Sequence, residues 1–310
     1  MISVVVIGRN EGERLDACLE SIRSALHILK HEIIYVDSRS SDDSIARAKA
    51  QGAKCFLLSD TRTTAGLGRF VGTQEAAGEY LLFLDGDMQL CPGFCERAMM
   101  TIAERDCAGV CGIREDIYLK NGEVAGRSEN YFGCTQERVA PEFGGAIFLK
   151  AEALQKAGGW SPDTIACEEA ELHARLRAAG CQVVEIPVRM IVHTDAVRDD
   201  RGLIGTIFSR RRLGEGQALR CAMAAKQGGA YIHHENEKFQ LYLLDWMCVI
   251  LIALLGVWGF LAACFFQAMQ LGHFLSRRRI RAFVSQKLFF FGFPLGLLTY
   301  RVRSRDYAAC

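Results

Sequence analysis

Short, continuous runs of apolar residues alternate with helical stripes through the first part of the chain. The runs cover residues 3–7, 32–36, 54–58 and 80–84, and each of the first three begins with one polar residue. Runs of this length and continuity are typical of strands buried on both faces. Between the first two runs, apolar residues recur at helical spacing. The alternation predicts an α/β protein with a mostly parallel, doubly wound sheet flanked by helices.

The pattern changes after the fourth run. Residues 112–139 are polar, irregular and rich in glycine, which predicts an excursion that faces substrate. An apolar run at 146–149, a helical pattern at 168–179 and a last run at 183–191 then complete the sheet. We therefore expect one sheet-containing domain over residues 1–235.

The C-terminal part is far more apolar. Residues 246–276 contain no Asp, Glu, Lys or Arg, and about twenty apolar residues suffice to cross the hydrocarbon layer of a membrane. A second apolar run, 288–300, is too short to span unaided. Residues 236–310 are therefore predicted to be a membrane-associated helical region.

Arginine clusters at 277–281 and 301–305 surround the second apolar run. Such clusters favour the cytoplasmic face and anionic lipid headgroups. A single crossing by the run 246–276 would place the cluster 277–281 outside, whereas a re-entrant or in-plane hairpin would keep both clusters inside. The sequence leaves the number of crossings open. We expect attachment to the inner membrane, with membrane lipids as partners and the N-terminal domain on the cytoplasmic face.

Composition and charge narrow the class of protein. The formal net charge of +1 argues against a nucleic-acid binder, because such proteins need a concentrated basic face. The 13 cysteines are scattered, and the chain begins with a strand pattern where a signal peptide would lie, so we expect reduced thiols in the cytosol. Two Cys-x3-Cys pairs lack a nearby His and are not expected to bind zinc.

Acidic residues collect where the predicted strands end. Asp37 follows the second strand, Asp85 and Asp87 follow the fourth, and Glu168 with Glu169 opens a late helix. Ligands of doubly wound sheets bind outside the carboxyl ends of the strands. These carboxylates are therefore expected near one site.

The tripeptide Asp85-Gly86-Asp87 is the most informative of these features. The glycine lets the backbone turn so that both carboxylates face one point, as Mg²⁺ or Mn²⁺ requires. Such an ion bridges the phosphates of a nucleotide and neutralises charge on a leaving diphosphate. The same tripeptide also suits an ordinary turn, so its meaning depends on its context.

That context resembles the family 2 glycosyltransferases. The segments that carry the resemblance, in the order of the family, are Val4-Val5-Val6-Ile7-Gly8-Arg9-Asn10-Glu11, Ile34-Tyr35-Val36-Asp37-Ser38, Gly68-Arg69-Phe70-Val71-Gly72, Gly144-Gly145-Ala146, Gly158-Gly159-Trp160 and Glu168-Glu169-Ala170-Glu171-Leu172. Each segment alone is weak, but together they are specific, and they extend over roughly residues 1 to 195.

The resemblance implies a GT-A fold and transfer with inversion at the sugar carbon. Asp37 would contact the base, and Asp85 the ribose and diphosphate. Asp87 and His193 would hold the metal ion, although a His near a strand end is also common without such a role. The residues implied to line the nucleotide-sugar pocket are Ile7, Arg9, Glu11, Asp37, Arg69, Asp85 and Gly86.

Inversion requires one base, which removes the proton of the acceptor hydroxyl as the sugar carbon is attacked. In the family's Glu-Asp pair the base is most often the Asp, and here that position is Glu169. A glutamate has the same chemistry on a longer side chain, so Glu169 is the predicted base and Glu168 the alternative. Residues 210–217 lack the Gln-x-x-Arg-Trp motif of polymerising members, which predicts one sugar per encounter.

These features predict a membrane-bound enzyme that transfers a sugar from a nucleotide-sugar to a lipid-linked or saccharide acceptor. The favoured donor is a UDP-sugar, and the product would belong to a surface polysaccharide or glycolipid. Three alternatives stay open: transfer to polyisoprenyl phosphate, a nucleotidyltransferase, and a non-catalytic membrane scaffold. A nucleotidyltransferase would need a glycine-rich phosphate loop after the first strand, which Gly8-Arg9-Asn10-Glu11-Gly12 does not supply.

Overall fold

The computed structural model describes residues 1–120, 122–196, 210–276, 287 and 292–310. These residues fall into two compact units. One consists of Met1–Asp199 with Arg301–Cys310, and the other of Asp200–Tyr300. The domain division at residue 235 stays a prediction.

The first unit, called the sheet unit below, is built on one sheet. Its strands are β1 (Ile2–Gly8), β2 (His31–Asp37), β3 (Lys54–Leu58), β4 (Tyr80–Asp85), β5 (Met88–Leu90), β6 (Gly109–Lys120), β7 (Glu123–Ser128), β8 (Arg138–Val139), β9 (Ile147–Lys150), β10 (Val183–Ala196) and β11 (Tyr307–Ala309). They lie in the order β11-β3-β2-β1-β4-β9-β6-β10-β5, with β7 beside β6 and β8 beside β10.

The strands β3, β2, β1 and β4 are parallel, and β6 is parallel to β10. The strand β9 joins these two sets by antiparallel pairing with both β4 and β6. The predicted α/β class is confirmed, with a sheet that is parallel in its first half and mixed beyond β4.

The helices among the described residues of this unit are α1 (Glu13–Ala25), α2 (Ser44–Ala50), α3 (Ala65–Gln74), α4 (Phe94–Arg105), α5 (Ala151–Lys156) and α6 (Glu168–Ala178). The helix α1 buries the apolar stripe that includes Leu15, Leu19 and Ile22. The core lies between the helices and the strands, where the central residues of β1, β2 and β4 are fully buried.

Two stretches of the sheet unit differ from the sequence expectation. The segment predicted as an irregular excursion is largely a hairpin of β6 and β7, and β10 continues to Ala196, beyond the expected end at residue 191. The outer part of β6 is only partly buried, so it lacks the continuous apolar run that reveals a fully buried strand. His193 consequently lies within a strand.

Glycines allow α3 to lie unusually close to its neighbours. A Cβ atom at Gly72 would lie 2.2 Å from Val5 Cγ1 of β1, and one at Gly66 would lie 2.3 Å from the carbonyl oxygen of Ser161. Only glycine permits such approaches. The close packing of α3 brings Arg69, which is 1% exposed, into the interior.

The second unit, called the helical unit, contains the helices α7 (Gly214–Ala224), α8 (Gly228–His234), α9 (Asn236–Leu255), α10 (Val257–Ser276) and α11 (Gly292–Thr299), preceded by a 3-10 turn at Arg210–Leu213. The helix α11 covers most of the second predicted apolar run. The predicted arginine cluster 277–281 lies outside the described residues.

The helices α9 and α10 form an antiparallel hairpin. Gln267 Nε2 donates a hydrogen bond to Asp245 Oδ1 at 2.8 Å, and Cys248 Sγ lies 4.0 Å from the carbonyl oxygen of Ala263. Gly256 separates the two helices with a φ of +53°, a conformation that glycine adopts readily.

The uncharged run 246–276 is therefore two helices and not one span. Among the described helices, one, Asn236–Leu255, is long and apolar enough to cross a membrane. Large apolar side chains near the hairpin turn are exposed, with Leu254 at 75%, Val257 at 74% and Trp258 at 77%. The hairpin thus presents an apolar surface.

The contact of α3 with β1 gives a stability prediction. Gly72→Ala removes the low helix propensity of glycine, a gain of up to about 1 kcal/mol, but its Cβ would overlap Val5 Cγ1. Overpacking of this kind costs about 1–3 kcal/mol, so we expect a net fall in the free energy of unfolding, measured by urea denaturation.

Gly126→Ala is the matched control, since the nearest atom to its added Cβ would be 3.8 Å away in Tyr118. We expect little change there. An unchanged or higher stability for Gly72→Ala would contradict the close packing of α3 on β1.

Candidate active site

The carboxyl ends of β1, β2 and β4 meet at one edge of the sheet. In the strand registers, Gly8 lies beside Asp37 and Ile7 beside Asp85. The N–H of Gly86 donates to the carbonyl oxygen of Ile7 at 2.8 Å, which fixes the turn that follows β4. The sheet topology therefore brings the predicted carboxylates of two strand ends together.

Arg69 connects this edge to the start of α6. Its Nη2 donates to Asp85 Oδ1 at 2.9 Å, and its Nη1 donates to Glu168 Oε1 at 2.8 Å and to Glu169 Oε1 at 3.3 Å. The guanidinium also lies over the ring of Trp160, 4.9 Å from the ring centroid. One buried cation thus holds carboxylates from β4 and α6 in a single cluster.

When its three carboxylates are ionised, the cluster carries more negative than positive charge. Two of its carboxyl groups have shifted pKa values. Burial, together with the charge of Glu168, raises the pKa of Glu169 to about 7, against the opposing effect of Arg69. Burial also raises the pKa of Asp85, and Arg69 opposes that shift. The side chain of Glu168 is 7% exposed and that of Glu169 is 25% exposed. Glu169 is therefore the glutamate that is open to an incoming group.

Asp87 lies in a second polar cluster, together with His193. Its Oδ2 is 3.3 Å from His193 Nε2, while its Oδ1 is buried and has no hydrogen-bond partner among the described residues. Burial works to raise the pKa of Asp87, but the hydrogen bond and charge of His193 outweigh it and lower that pKa. Asp87 is therefore held ionised with one carboxylate oxygen available.

His193 is oriented by a neighbouring strand. Its Nδ1 is 2.7 Å from Asp116 Oδ1, because β10 and β6 are paired with these two residues opposite each other. Arg114 donates to the same oxygen from Nε at 2.9 Å and from Nη2 at 2.7 Å. In the neutral ring that a metal ion requires, a carboxylate that holds the proton on Nδ1 leaves the lone pair on Nε2, as in protein metal sites.

These residues fit a hard divalent cation that is only partly coordinated by protein. The described residues contain no group of three His, Cys, Asp or Glu side chains able to hold an ion by themselves. Mg²⁺ commonly takes one or two carboxylates and completes its shell with water and substrate phosphates. Asp87 Oδ1 and the Nε2 side of His193 offer that incomplete set.

The residues predicted to line the nucleotide pocket differ in burial and in their contacts. A Cβ at Gly86 would lie 2.8 Å from Glu11 Cγ, so Glu11 covers the turn after β4. Arg9 is exposed. Asp37 is fully buried and accepts hydrogen bonds from the N–H of Ser40 at 2.7 Å and from the hydroxyl of Tyr35 at 3.0 Å. Contact of Asp37 with a base would require an exchange of these bonds.

Comparison with known proteins identifies the domain. Residues 3–155 match the sequence profile of the family described as Glycosyl transferase family 2. The chain carries a family 2 glycosyltransferase domain. This confirms the resemblance found in the sequence.

Three curated relatives share parts of this family 2 chain. It is 30% identical over 135 residues to "Glycosyltransferase AglE" of Haloferax volcanii, an alignment of 42% of this chain and 44% of AglE. It is 24% identical over 286 residues to "Succinoglycan biosynthesis protein ExoA" of Rhizobium meliloti, 84% of this chain and 82% of ExoA. It is 30% identical over 126 residues to "Dolichol-phosphate mannosyltransferase" of Pyrococcus furiosus, 40% of this chain and 35% of that protein. The chain thus spans less than half the length of two of these relatives.

A solved structure supports the fold. The mannosyltransferase PcManGT from Pyrobaculum calidifontis, in complex with GDP-Man and Mn²⁺, superposes with a TM-score of 0.60 at 16% identity, over 96% of this chain and 87% of that one. At this level of identity the likeness concerns the fold alone. The family 2 domain has the implied GT-A fold.

Three residues contact the proposed site residues although the sequence did not predict them as part of the site. Asp116 gives no local signal, because its partner His193 is far away along the chain and only strand register joins them. The ring of Trp160 packs against the guanidinium of Arg69. A Cβ at Gly145 would lie 2.6 Å from Asp85 Oδ2. The glycine motifs around Gly145 and Trp160 were visible in the sequence, but their contacts were not.

The Asp116–His193 contact gives a prediction for metal binding. In Asp116→Asn the amide can donate to Nδ1, which would move the ring proton to Nε2 and block the nitrogen that faces Asp87. Loss of such a partner typically weakens metal binding about 10- to 100-fold. We expect a rise of that size in the Mn²⁺ dissociation constant, measured by electron paramagnetic resonance in the presence of a nucleoside diphosphate.

Asp116→Glu keeps the carboxylate and should recover part of the affinity. Glu104→Ala, which changes an exposed carboxylate on α4, should leave it unchanged. Wild-type affinity in Asp116→Asn would contradict a role of Asp116 in orienting His193.

Proposed function

We propose that the chain is an inverting, metal-dependent glycosyltransferase that transfers one sugar from a nucleotide-sugar to a lipid-linked acceptor. The donor we favour is a UDP-sugar, and the product would belong to a surface polysaccharide or glycolipid. The observation that carries the proposal is the set of contacts of Arg69, which join Asp85, on the predicted donor side, to Glu168 and Glu169, on the predicted acceptor side.

The donor is proposed to lie over the ends of β1, β2 and β4. Asp85 and the Gly86 turn would face the ribose and diphosphate, with Glu11 beside them. Asp87 and His193 would hold Mg²⁺ or Mn²⁺. Such an ion neutralises charge on the departing diphosphate. The excess of carboxylates over cations in the site supports this assignment, because it leaves negative charge for a cation to balance.

Transfer is proposed to occur in one displacement. The acceptor hydroxyl oxygen bonds to the sugar carbon as the bond from that carbon to the diphosphate breaks, and Glu169 takes the hydroxyl proton. A base works best with a pKa near the working pH, and the pKa of Glu169, raised to about 7, meets that condition. Glu168 is proposed to hold Arg69, since it is buried against that guanidinium.

The acceptor is proposed to be lipid-linked because the chain carries an exposed apolar hairpin. Among the described helices, α9 is long and apolar enough to enter the hydrocarbon layer, and large apolar side chains at the turn that follows it are exposed. A hairpin keeps both of its ends on one side of a membrane. We therefore propose attachment to the inner membrane through residues 236–310, with the sheet unit in the cytoplasm.

Polyisoprenyl phosphate itself is the second candidate acceptor. The partial similarity to a dolichol-phosphate mannosyltransferase favours it. Lipid extracts incubated with the purified protein and radiolabelled donors would separate the two. Label on polyisoprenyl phosphate alone supports the second candidate, and label only on an oligosaccharide-bearing lipid supports the first.

Loss of the metal ligand tests the proposed function. Thermal-shift screening of UDP-, GDP- and dTDP-sugars with Mn²⁺ should find a donor that raises the melting temperature, because a ligand that binds only the folded state stabilises it. In Asp87→Ala we expect this shift to vanish and metal-dependent donor hydrolysis to fall at least about 100-fold. Glu20→Ala, at an exposed carboxylate on α1, is the control. A parent-like Asp87→Ala would exclude the metal assignment.

The pKa of Glu169 predicts a pH dependence. A base must be deprotonated, so kcat/KM measured at saturating Mn²⁺ should rise with pH through about 7 and then level off. Glu169→Gln should lower kcat by about 100-fold or more and abolish this rise in the residual rate. If the rise persists in Glu169→Gln while Glu168→Gln removes it, Glu168 is the base instead.

The apolar hairpin predicts membrane binding. Trp258→Glu places a charge on a side chain that is 77% exposed at the hairpin turn, and burial of a charge in the hydrocarbon layer costs about 2.5–3.5 kcal/mol. We expect this variant to lose co-flotation with phosphatidylglycerol-containing vesicles. Ile28→Glu, at a side chain that is 70% exposed in the sheet unit, should float like the parent. Equal flotation of both variants would argue against insertion of the turn.

A further inference from the structure

The segment Arg301–Cys310 belongs to the sheet unit, although residues 200–300 separate it from the rest of that unit along the chain. Its strand β11 pairs antiparallel with the edge strand β3, with Tyr307 opposite Leu58. The N–H of Cys310 donates to the carbonyl oxygen of Cys55 at 3.0 Å, which extends the pairing by one residue. The segment therefore forms the edge of the sheet.

Side chains of the segment reach α3 as well. The hydroxyl of Tyr307 donates to Glu75 Oε1 at 2.5 Å, just after the C-terminal end of α3. The guanidinium of Arg305 lies over the ring of Phe70, 5.2 Å from its centroid. Phe70 directly follows Arg69, so the segment packs on the helix that supplies the central cation of the site.

The contact closest to the chemistry is made by Arg303. Its main-chain N–H donates to Asp163 Oδ1 at 2.7 Å, and its Nη1 donates to the carbonyl oxygen of Arg62 at 2.6 Å. Asp163 is 4% exposed and lies in the loop 161–167. That loop leads directly into Glu168, the first residue of α6.

The loop depends on its surroundings for its shape. Its last residue, Cys167, has a φ of +66°, a left-handed conformation that costs a non-glycine residue roughly 1–2 kcal/mol. Such a conformation persists only where the surrounding contacts impose it. On one side the loop packs against Gly66 of α3 through the carbonyl of Ser161, and on the other it receives the N–H of Arg303.

We propose that Arg301–Cys310 is a positioning segment for the reaction, in which the N–H of Arg303 holds the loop 161–167 and, through it, Glu168 and Glu169. The inference rests on the proposed function of these glutamates. A simpler role would be to cover the edge of β3, which protects a sheet from pairing with other chains. Edge covering alone would change stability or solubility and leave turnover by the folded protein unaffected.

A pair of substitutions at one position separates the two roles in the full-length protein. Arg303→Pro removes the N–H that Asp163 accepts, whereas Arg303→Ala keeps it and removes the guanidinium. A displacement of catalytic groups by about 1 Å can cost about 100-fold in rate. We expect Arg303→Pro to lower kcat about 10- to 100-fold with little change in the donor KM, and Arg303→Ala to stay within about threefold of the parent.

Amide hydrogen exchange supplies a readout that does not need activity. Exchange in residues 161–167 should be faster in Arg303→Pro than in Arg303→Ala. If Arg303→Pro fails to fold, the same comparison is made with Asp163→Ala, which removes the acceptor, and Asp163→Asn, which keeps an acceptor oxygen. Asp163→Asn should then be the more active of the two, with the slower loop exchange.

Parent-like kcat and loop exchange in Arg303→Pro would overturn the proposal. So would an equal loss in Arg303→Pro and Arg303→Ala, or in the two Asp163 variants, because the shared hydrogen bond would then not be the cause. If the parent protein transfers no sugar, the proposed function fails, and the exchange comparison still decides whether the segment holds the loop.

Discussion

The site depends on one buried guanidinium. Arg69 is 1% exposed and contacts carboxylates from β4 and α6. Removing a charge from water costs several kcal/mol, and good geometry with several partners offsets that cost. The cluster therefore exists only where α3, β4 and α6 are all in place. Removal of Arg69 would leave several partly buried carboxylates without their cation.

The charge balance around Arg69 also bears on the proposed chemistry. One guanidinium faces Asp85, Glu168 and Glu169, so the cluster carries excess negative charge when all three are ionised. Burial, together with the charge of Glu168, raises the pKa of Glu169, which suits this group to the proposed role of a base near neutral pH. Asp87 lies in a second, separately oriented cluster with His193 and Asp116, where we propose that a divalent cation binds.

Segments distant in sequence hold this arrangement. The strand β11 closes the edge of the sheet after a long intervening helical unit, and Arg303 reaches the loop that precedes α6. The sheet unit therefore includes Arg301–Cys310 in addition to Met1–Asp199. Along the chain, the apolar hairpin therefore lies between two segments of the same unit.

The amino-acid sequence by itself determined the α/β class and the first four strands, and it supplied most of the residues of the proposed site. It did so because fully buried parallel strands leave continuous apolar runs, and because the Asp-Gly-Asp turn and the glycine motifs are local. Tertiary structure decided what local patterns do not encode. The partnership of Asp116 with His193 comes from the register of β6 and β10. The division of the apolar run into a hairpin comes from the left-handed backbone at Gly256 and from pairing between α9 and α10. Arg69 lies at the centre of the site because glycines let α3 approach β1 closely. The distance between these two elements cannot be read from the spacing of residues in the sequence.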